Sequence, residues 1–158
     1  MDRVRQRHFR RVDHRADYAC RNHHAVRGGG VEAYSVAYAA DAAAWDELWA
    51  AVAPGSAPPA LDLASEIVAL FADGIGSSCP ELRLDGVVVD QAAGRVYSRI
   101  SDPLAPRICT ADLAGSAVFV VAIERDALPP SPFTLALSEQ PMTCGDCADE
   151  LTIDLRQP

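Results

Sequence analysis

The sequence contains no lysine, no histidine after residue 24 and no long apolar run. All fourteen basic residues are arginines, which together with the heavy use of alanine indicates a high-GC genome rather than a function. Beyond residue 24 a serine–histidine hydrolase cannot be assembled, because no imidazole is available as the general base. No apolar run approaches the roughly 20 residues that a helix needs to cross a bilayer. These absences exclude the commonest hydrolase triad and a membrane-spanning helix.

The net charge of −8 is unevenly distributed along the 158 residues. Residues 1–30 hold eight arginines and all four histidines against three aspartates. The remaining residues hold six arginines against nineteen acidic residues. A surface this acidic repels phosphate backbones, so we expect residues 31–158 not to bind nucleic acid.

Residues 1–30 show no helical or strand periodicity and end in three successive glycines. We interpret this basic segment as disordered or as non-native coding sequence. Two alternatives stay open: a basic arm for nucleic acid or an anionic membrane, and a metal site formed by His23, His24 and Cys20. A secretory signal would show 7–15 apolar residues after a short basic region, and that pattern is absent. Our hypothesis is that the authentic N-terminus is missing together with its signal, so that membrane attachment would occur only through a missing N-terminal anchor.

Residues 31–158 have the length and composition of a single α+β domain. The pattern predicts one amphipathic helix near the beginning of this domain, capped by Asp41 and ended by Pro54 and Gly55. Its apolar side chains recur at positions i, i+3, i+4 and i+7, and they are Trp45, Leu48, Trp49 and Val52. Both tryptophans lie on this face, so we expect them in the core rather than stacked on a ligand.

The rest of the domain is predicted to form a mostly antiparallel sheet of six or seven strands. The candidate strands are residues 31–39, 66–71, 82–89, 95–100, 117–124, 133–138 and 151–155. Residues 118–123 are apolar on both faces, which predicts a central strand.

Four cysteines lie in the predicted domain, and they are Cys79, Cys109, Cys144 and Cys147. An even number of cysteines favours disulfide bonds in an oxidising compartment. Three pairings are possible, and the short separation of Cys144 from Cys147 favours that pair and leaves Cys79 for Cys109. Cys20 would then have no partner.

The segment from Cys144 to Cys147 also has the spacing of a redox pair or of half a zinc site. A thioredoxin-type pair begins a helix, whereas this segment precedes the alternating pattern of residues 151–155. A second pair of zinc ligands is missing nearby, and the acidic residues of this region lack the spacing of an EF-hand. Those acidic residues are Asp146, Asp149, Glu150 and Asp154. We therefore predict no catalytic residue, no metal ligand and no cofactor.

Several features of the sequence follow one another in the order found in a family of exported bacterial proteins. They are residues 45–49, Asp62, the strand at 66–71, the glycine-containing turn at 73–78 and residues 119–123. This order resembles PrcB-like domains, named for a subunit of a protease complex, and related uncharacterised secreted proteins of actinobacteria. The resemblance spans about residues 36–137 and implies an accessory role beside a protease rather than catalysis. At the turn the chain departs from the family, because residues 74–80 replace a proline-threonine-glycine-glycine-tyrosine type of sequence.

The expected function is therefore that of a secreted or surface-tethered bacterial accessory module. Such a module would bind a protein, either a protease or a component of the cell envelope, outside the cytoplasm and without catalysis. The alternative is an extracytoplasmic thiol-disulfide or hydrolytic enzyme.

Overall fold

The computed structural model of the protein describes residues 6–7, 20–28, 31–75, 82–101, 116–142 and 147–156, with the backbone alone at 6–7, 20–28, 75 and 116. Within these residues the chain is α+β, which confirms the predicted fold class. The elements are β1 Gln6–Arg7, β2 Cys20–Gly28, β3 Ser35–Ala39, α1 Ala42–Val52, β4 Glu66–Ile75, β5 Arg83–Asp90, β6 Arg95–Ser101, β7 Ser116–Glu124, a 3₁₀ turn Arg125–Ala127, β8 Phe133–Ala136 and β9 Glu150–Ile153.

The helix α1 begins and ends where the sequence predicts. The Asp41 carboxylate accepts a hydrogen bond from the Ala44 N–H at 2.9 Å, which satisfies one of the amide groups that the first turn leaves unpaired. At the other end the Ala53 N–H donates to the Trp49 carbonyl at 2.7 Å. The chain then turns through Gly55 at a φ of +79°, a left-handed conformation that glycine adopts without steric cost.

The strands form two sheets, so the expectation of one sheet of six or seven strands is wrong. The first sheet has the order β1-β2-β7-β4-β3 and is antiparallel throughout. The second has the order β5-β6-β8-β9 and is antiparallel except for the parallel pair of β6 and β8. Two sheets are needed because β4 and β7 are apolar on both faces, and one eleven-residue helix can cover only one of those faces.

Alternate side chains of β4 reach two different cores. Ile67, Ala69 and Phe71 face the second sheet and are fully buried in the larger core between the sheets. Val68, Leu70 and Ala72 face the other way and pack against Trp45, Trp49 and Val52 of α1. The helix, the first sheet and the second sheet are therefore three stacked layers, with β4 and β7 in the middle one.

The strand β2 is an element that the sequence did not predict. It pairs antiparallel with β7, from Cys20 opposite Ile123 to Gly28 opposite Ser116, with a register irregularity between Cys20 and His23. Backbone pairing requires only an extended chain beside an available strand, and it leaves no periodic signal in the side chains. Whether residues 1–30 are native coding sequence stays a prediction.

The two sheets meet along β3. The Val36 N–H donates to the Ala148 carbonyl at 3.0 Å, and the Leu137 N–H donates to the Asp149 carbonyl at 2.8 Å. The buried Asp149 carboxylate accepts from the Met142 N–H at 2.7 Å. The segment that leads into β9 thus connects β3 of the first sheet with the end of β8 in the second.

Candidate functional site

Of the predicted disulfide cysteines, Cys147 is the one whose side chain the structure describes, and it is disulfide-bonded. Cys79, Cys109 and Cys144 lie outside the described residues, so the predicted pairings stay predictions. Residues 150–153 after Cys147 form β9, in agreement with the strand expected there.

Each of the described acidic residues near Cys147 forms a hydrogen bond or an ion pair with a different residue. The Asp149 carboxylate accepts from the Met142 N–H, Glu150 forms an ion pair with Arg95, and Asp154 pairs with Arg156 at 2.9 Å. Within the described part of the chain, no group of three potential metal ligands lies close together.

The two tryptophans lie in the core, as the sequence predicts. Each is 4% exposed, and their ring centroids are 5.2 Å apart. The indole N–H of Trp45 donates to the Pro59 carbonyl, and that of Trp49 donates to the Ser56 hydroxyl, both at 3.1 Å. Buried indoles with satisfied N–H groups stabilise the packing of α1 rather than present a surface to a ligand.

The outer face of the second sheet carries a buried tyrosine among paired charges. Burial raises the pKa of Tyr97, the charge of Glu139 adds to the rise, and a hydrogen bond with Arg99 opposes it. Arg95 on the same face pairs with Glu150 and donates to the Ser138 carbonyl. Arg95 and Glu150 compensate each other's charge, whereas the buried Nε of Arg95 has no hydrogen-bond partner among the described residues.

Tyr34, just before β3, has an unusual backbone conformation. Its φ is +56°, the only positive φ of a non-glycine residue in the described part of the chain. The left-handed conformation costs an aromatic residue about 1–2 kcal/mol, because its Cβ approaches the following carbonyl oxygen. The side chain is half-buried and its ring packs against the core between the sheets. Strain of this size is often found where a side chain must be held in one place for function.

Asp73 lies near the end of β4, two positions after the core residue Phe71 and on the same face of the strand. A register irregularity follows between Asp73 and Ile75, opposite the start of β7. Burial raises the pKa of the Asp73 carboxyl above its ordinary value, and a hydrogen bond from the Gly74 N–H offsets part of that rise. No basic side chain among the described residues forms an ion pair with it.

Tyr34 and Asp73 lie beside each other at one end of the layer between the sheets. Ser35 pairs with Ala72, which places the residue before Ser35 next to the residue after Ala72. Gly74, at a φ of +63°, lies between them: a Cβ built on it would be 4.0 Å from the Tyr34 hydroxyl oxygen and 3.8 Å from Cδ1 of Leu82. We call Tyr34, Asp73, Gly74 and Leu82 the Tyr34–Asp73 site.

The chemistry of this site is that of a hydrogen-bond acceptor with a negative charge. Among the described residues the carboxylate has one donor, the Gly74 N–H, and the Tyr34 hydroxyl has no hydrogen-bond partner there either. Leu82 supplies an apolar wall, because its side chain packs against the same core as Tyr34. A ligand that brings N–H donors and a positive charge would satisfy both polar groups.

Little in the sequence indicates this site. The pair Asp73-Gly74 indicated only the end of a strand, whereas β4 continues through it to Ile75. Nothing in the sequence around Tyr34 indicates a left-handed backbone. The two side chains are brought together by the pairing of β3 with β4, which local patterns do not specify.

Comparisons of the chain with protein-family models, with curated proteins and with solved structures found no match. No helix in the described ranges is long and apolar enough to cross a membrane.

Proposed function

We propose that the chain is a non-catalytic bacterial binding module that acts outside the cytoplasm and holds a protein partner at the Tyr34–Asp73 site. The observation that carries the proposal is a half-buried carboxylate which, among the described residues, is not paired with a basic side chain. Partial burial disfavours the ionised form of this carboxyl, and a cationic group on a ligand would stabilise that form. The neighbouring strained tyrosine supports the same interpretation.

A protein is the preferred partner because of the charge of the whole chain. The net charge of −8 attracts a basic surface and accelerates its encounter with the module. The resemblance to PrcB-like domains supports an accessory role beside a protease or another component of the envelope.

The disulfide bond at Cys147 supports a location outside the cytoplasm, since disulfides persist in oxidising compartments. A secreted or surface-tethered chain would need a signal or an anchor in addition to the residues of the domain. Membrane fractionation of the organism that encodes the chain, with an antibody against residues 31–158, tests this location. Recovery of the protein in the cytoplasmic fraction alone would contradict it.

Binding is tested with the full chain immobilised as wild type, Asp73→Asn and Asp46→Asn. Asp46 is an exposed residue of α1, so the second variant is a control for the loss of one negative charge. Each protein is incubated with a detergent extract of the envelope, and captured proteins are quantified by mass spectrometry. We expect a partner that the wild type and Asp46→Asn retain and that Asp73→Asn loses. Equal capture by all three proteins would refute the assignment of the site.

A further inference from the structure

The surroundings of Asp73 and Tyr34 point to one kind of chemical group. We propose that the Tyr34–Asp73 site takes the guanidinium group of an arginine side chain from a partner protein. This proposal rests on the proposed binding function and adds the chemical class of the ligand to it.

The charge of the ligand is argued from Asp73. Its carboxylate is partly shielded from water, and in the described part of the chain the Gly74 N–H is its one donor. Each carboxylate oxygen can accept more than one hydrogen bond, so the described residues leave positions on Asp73 for further N–H donors. Burial destabilises the ionised form of the carboxyl. A hydrogen bond from a cationic donor stabilises this form more than a hydrogen bond from a neutral donor.

The shape of the ligand is argued from the positions of the neighbouring groups. The Tyr34 hydroxyl oxygen lies 4.0 Å from the point where a Cβ on Gly74 would stand, and the Gly74 N–H is bonded to Asp73. Both acceptors therefore lie next to Gly74. A planar guanidinium carries five N–H donors in a fixed fork, so it can donate to a carboxylate and to a nearby hydroxyl at the same time.

Burial favours guanidinium over ammonium at this position. The site is half-buried and has an apolar wall formed by Leu82. A guanidinium group is more weakly hydrated than an ammonium group, so it loses less when it enters such a surrounding. The methylene groups of an arginine stem can lie along Leu82 and the ring of Tyr34.

Gly74 brings no side chain to these groups. An added Cβ would be in ordinary van der Waals contact with Leu82 and Tyr34, at 3.8 and 4.0 Å. A side chain at this position would therefore occupy the place beside the Tyr34 hydroxyl that the proposed guanidinium needs.

The proposal is tested with three small probes that differ in the end group of one side chain. N-acetyl-argininamide, N-acetyl-lysinamide and N-acetyl-glutaminamide are titrated at millimolar concentrations into the full chain near neutral pH. Binding is followed through the NMR signals of the Asp73 carboxyl carbon and the Tyr34 ring. We expect the arginine probe to bind more tightly than the lysine probe, and the glutamine probe not to shift either signal.

The variants separate the site from the general acidity of the chain. Asp73→Asn should weaken binding of the arginine probe at least about tenfold, because a charge-assisted hydrogen bond is lost. Tyr34→Phe should weaken it about two- to fivefold through the loss of one neutral hydrogen bond. The matched controls Asp46→Asn and Tyr38→Phe should bind like the wild type, since Asp46 is exposed on α1 and Tyr38 lies farther along β3.

Three results would overturn the proposal: no shift of either signal with the arginine probe, equal binding of the glutamine probe, or binding by Asp73→Asn within twofold of the wild type. These results leave the proposed function standing if Asp73→Asn still loses the envelope partner, which would then be held by another kind of group. If Asp73→Asn retains that partner as well, the proposed function fails together with the ligand.

Discussion

Burial disfavours the ionised form of the Asp73 carboxyl in the folded chain and so raises its pKa. A folded-state pKa above the unfolded value means that the folded chain binds this proton more tightly. The stabilisation is therefore complete below the ordinary pKa of aspartate, about 3.9, and is lost as the pH rises through the raised pKa. At neutral pH the ionised Asp73 lowers the free energy of unfolding.

Because the ionised Asp73 lowers the free energy of unfolding, we predict that Asp73→Asn stabilises the protein at pH 7. The gain should shrink as the pH is lowered through the raised pKa and should vanish below about pH 4, where the wild-type side chain is protonated as well. Urea unfolding of both proteins between pH 3 and pH 8, expressed as a difference at each pH, measures the effect. Asp46→Asn accounts for the general effect of removing one charge from an acidic chain. A loss of stability at pH 7 in Asp73→Asn alone would show that the carboxylate is compensated in solution.

The cost of an alanine at a left-handed position can be compared between Gly74 and Gly55. Both have a positive φ, of +63° and +79°, and alanine at either position should cost about 1 kcal/mol of unfolding free energy. A Cβ at Gly74 would stand at ordinary contact distances of 3.8 and 4.0 Å, and one at Gly55 would meet nothing within 4 Å. We therefore predict similar losses of stability for Gly74→Ala and Gly55→Ala in urea unfolding.

Binding should distinguish these two variants where stability does not. Gly74→Ala fills the space between Tyr34, Asp73 and Leu82, so it should weaken capture of the envelope partner, whereas Gly55→Ala should not. If Gly74→Ala lost several kcal/mol more stability than Gly55→Ala, Gly74 would lie closer to Leu82 and Tyr34 than it does in the structure.

The stability of the helix α1 depends on one side chain at its start. The Asp41 carboxylate accepts from the Ala44 N–H, and the helix buries both tryptophans against β4 and β7. We predict that Asp41→Ala lowers the free energy of unfolding by about 1 kcal/mol, because the cap is lost. Unfolding in urea, followed by tryptophan fluorescence, measures this loss. Asp46→Ala, within the same helix, should change stability much less, and an equal effect of both variants would contradict the role of the cap.

Local patterns account for the elements that the sequence predicted correctly. The helix was indicated by its cap and its apolar stripe, and seven of the strands by alternating or continuous apolar residues. The predicted strand at residues 31–39 begins only at Ser35, because the left-handed Tyr34 interrupts the extended chain. Strand β4 passes through Asp73-Gly74, because the positive φ of Gly74 is accommodated at a register irregularity.

The arrangement of these elements could not be predicted in the same way. Whether a strand belongs to the first or the second sheet depends on partners distant in sequence, such as β4 with β7 and β6 with β8. The Tyr34–Asp73 site depends on the same long-range information, since the register of Ser35 with Ala72 brings its two polar groups together. Residue composition carries no signal for such a register.

For the whole molecule, the number of disulfide bonds bears on the compartment that we propose for the chain. The core between the sheets is large and its main side chains are fully buried, so the chain does not depend on disulfides as the smallest secreted domains do. Disulfides in a chain of this kind indicate the compartment more than they supply a missing core. The number of free thiols therefore bears directly on the proposed location.

We predict one free thiol in the purified chain when it is denatured without a reducing agent. Five cysteines with two disulfide bonds leave one thiol, and peptide mapping should place the label on Cys20. Cys147 should stay unlabelled until a reducing agent is added, because it is disulfide-bonded. Three labelled thiols would leave a single bond and remove the predicted pair of Cys79 with Cys109. Reversible reduction of the Cys147 bond by a mild dithiol in the native chain would favour the thiol-disulfide enzyme instead, since a structural bond in an accessory module should resist it.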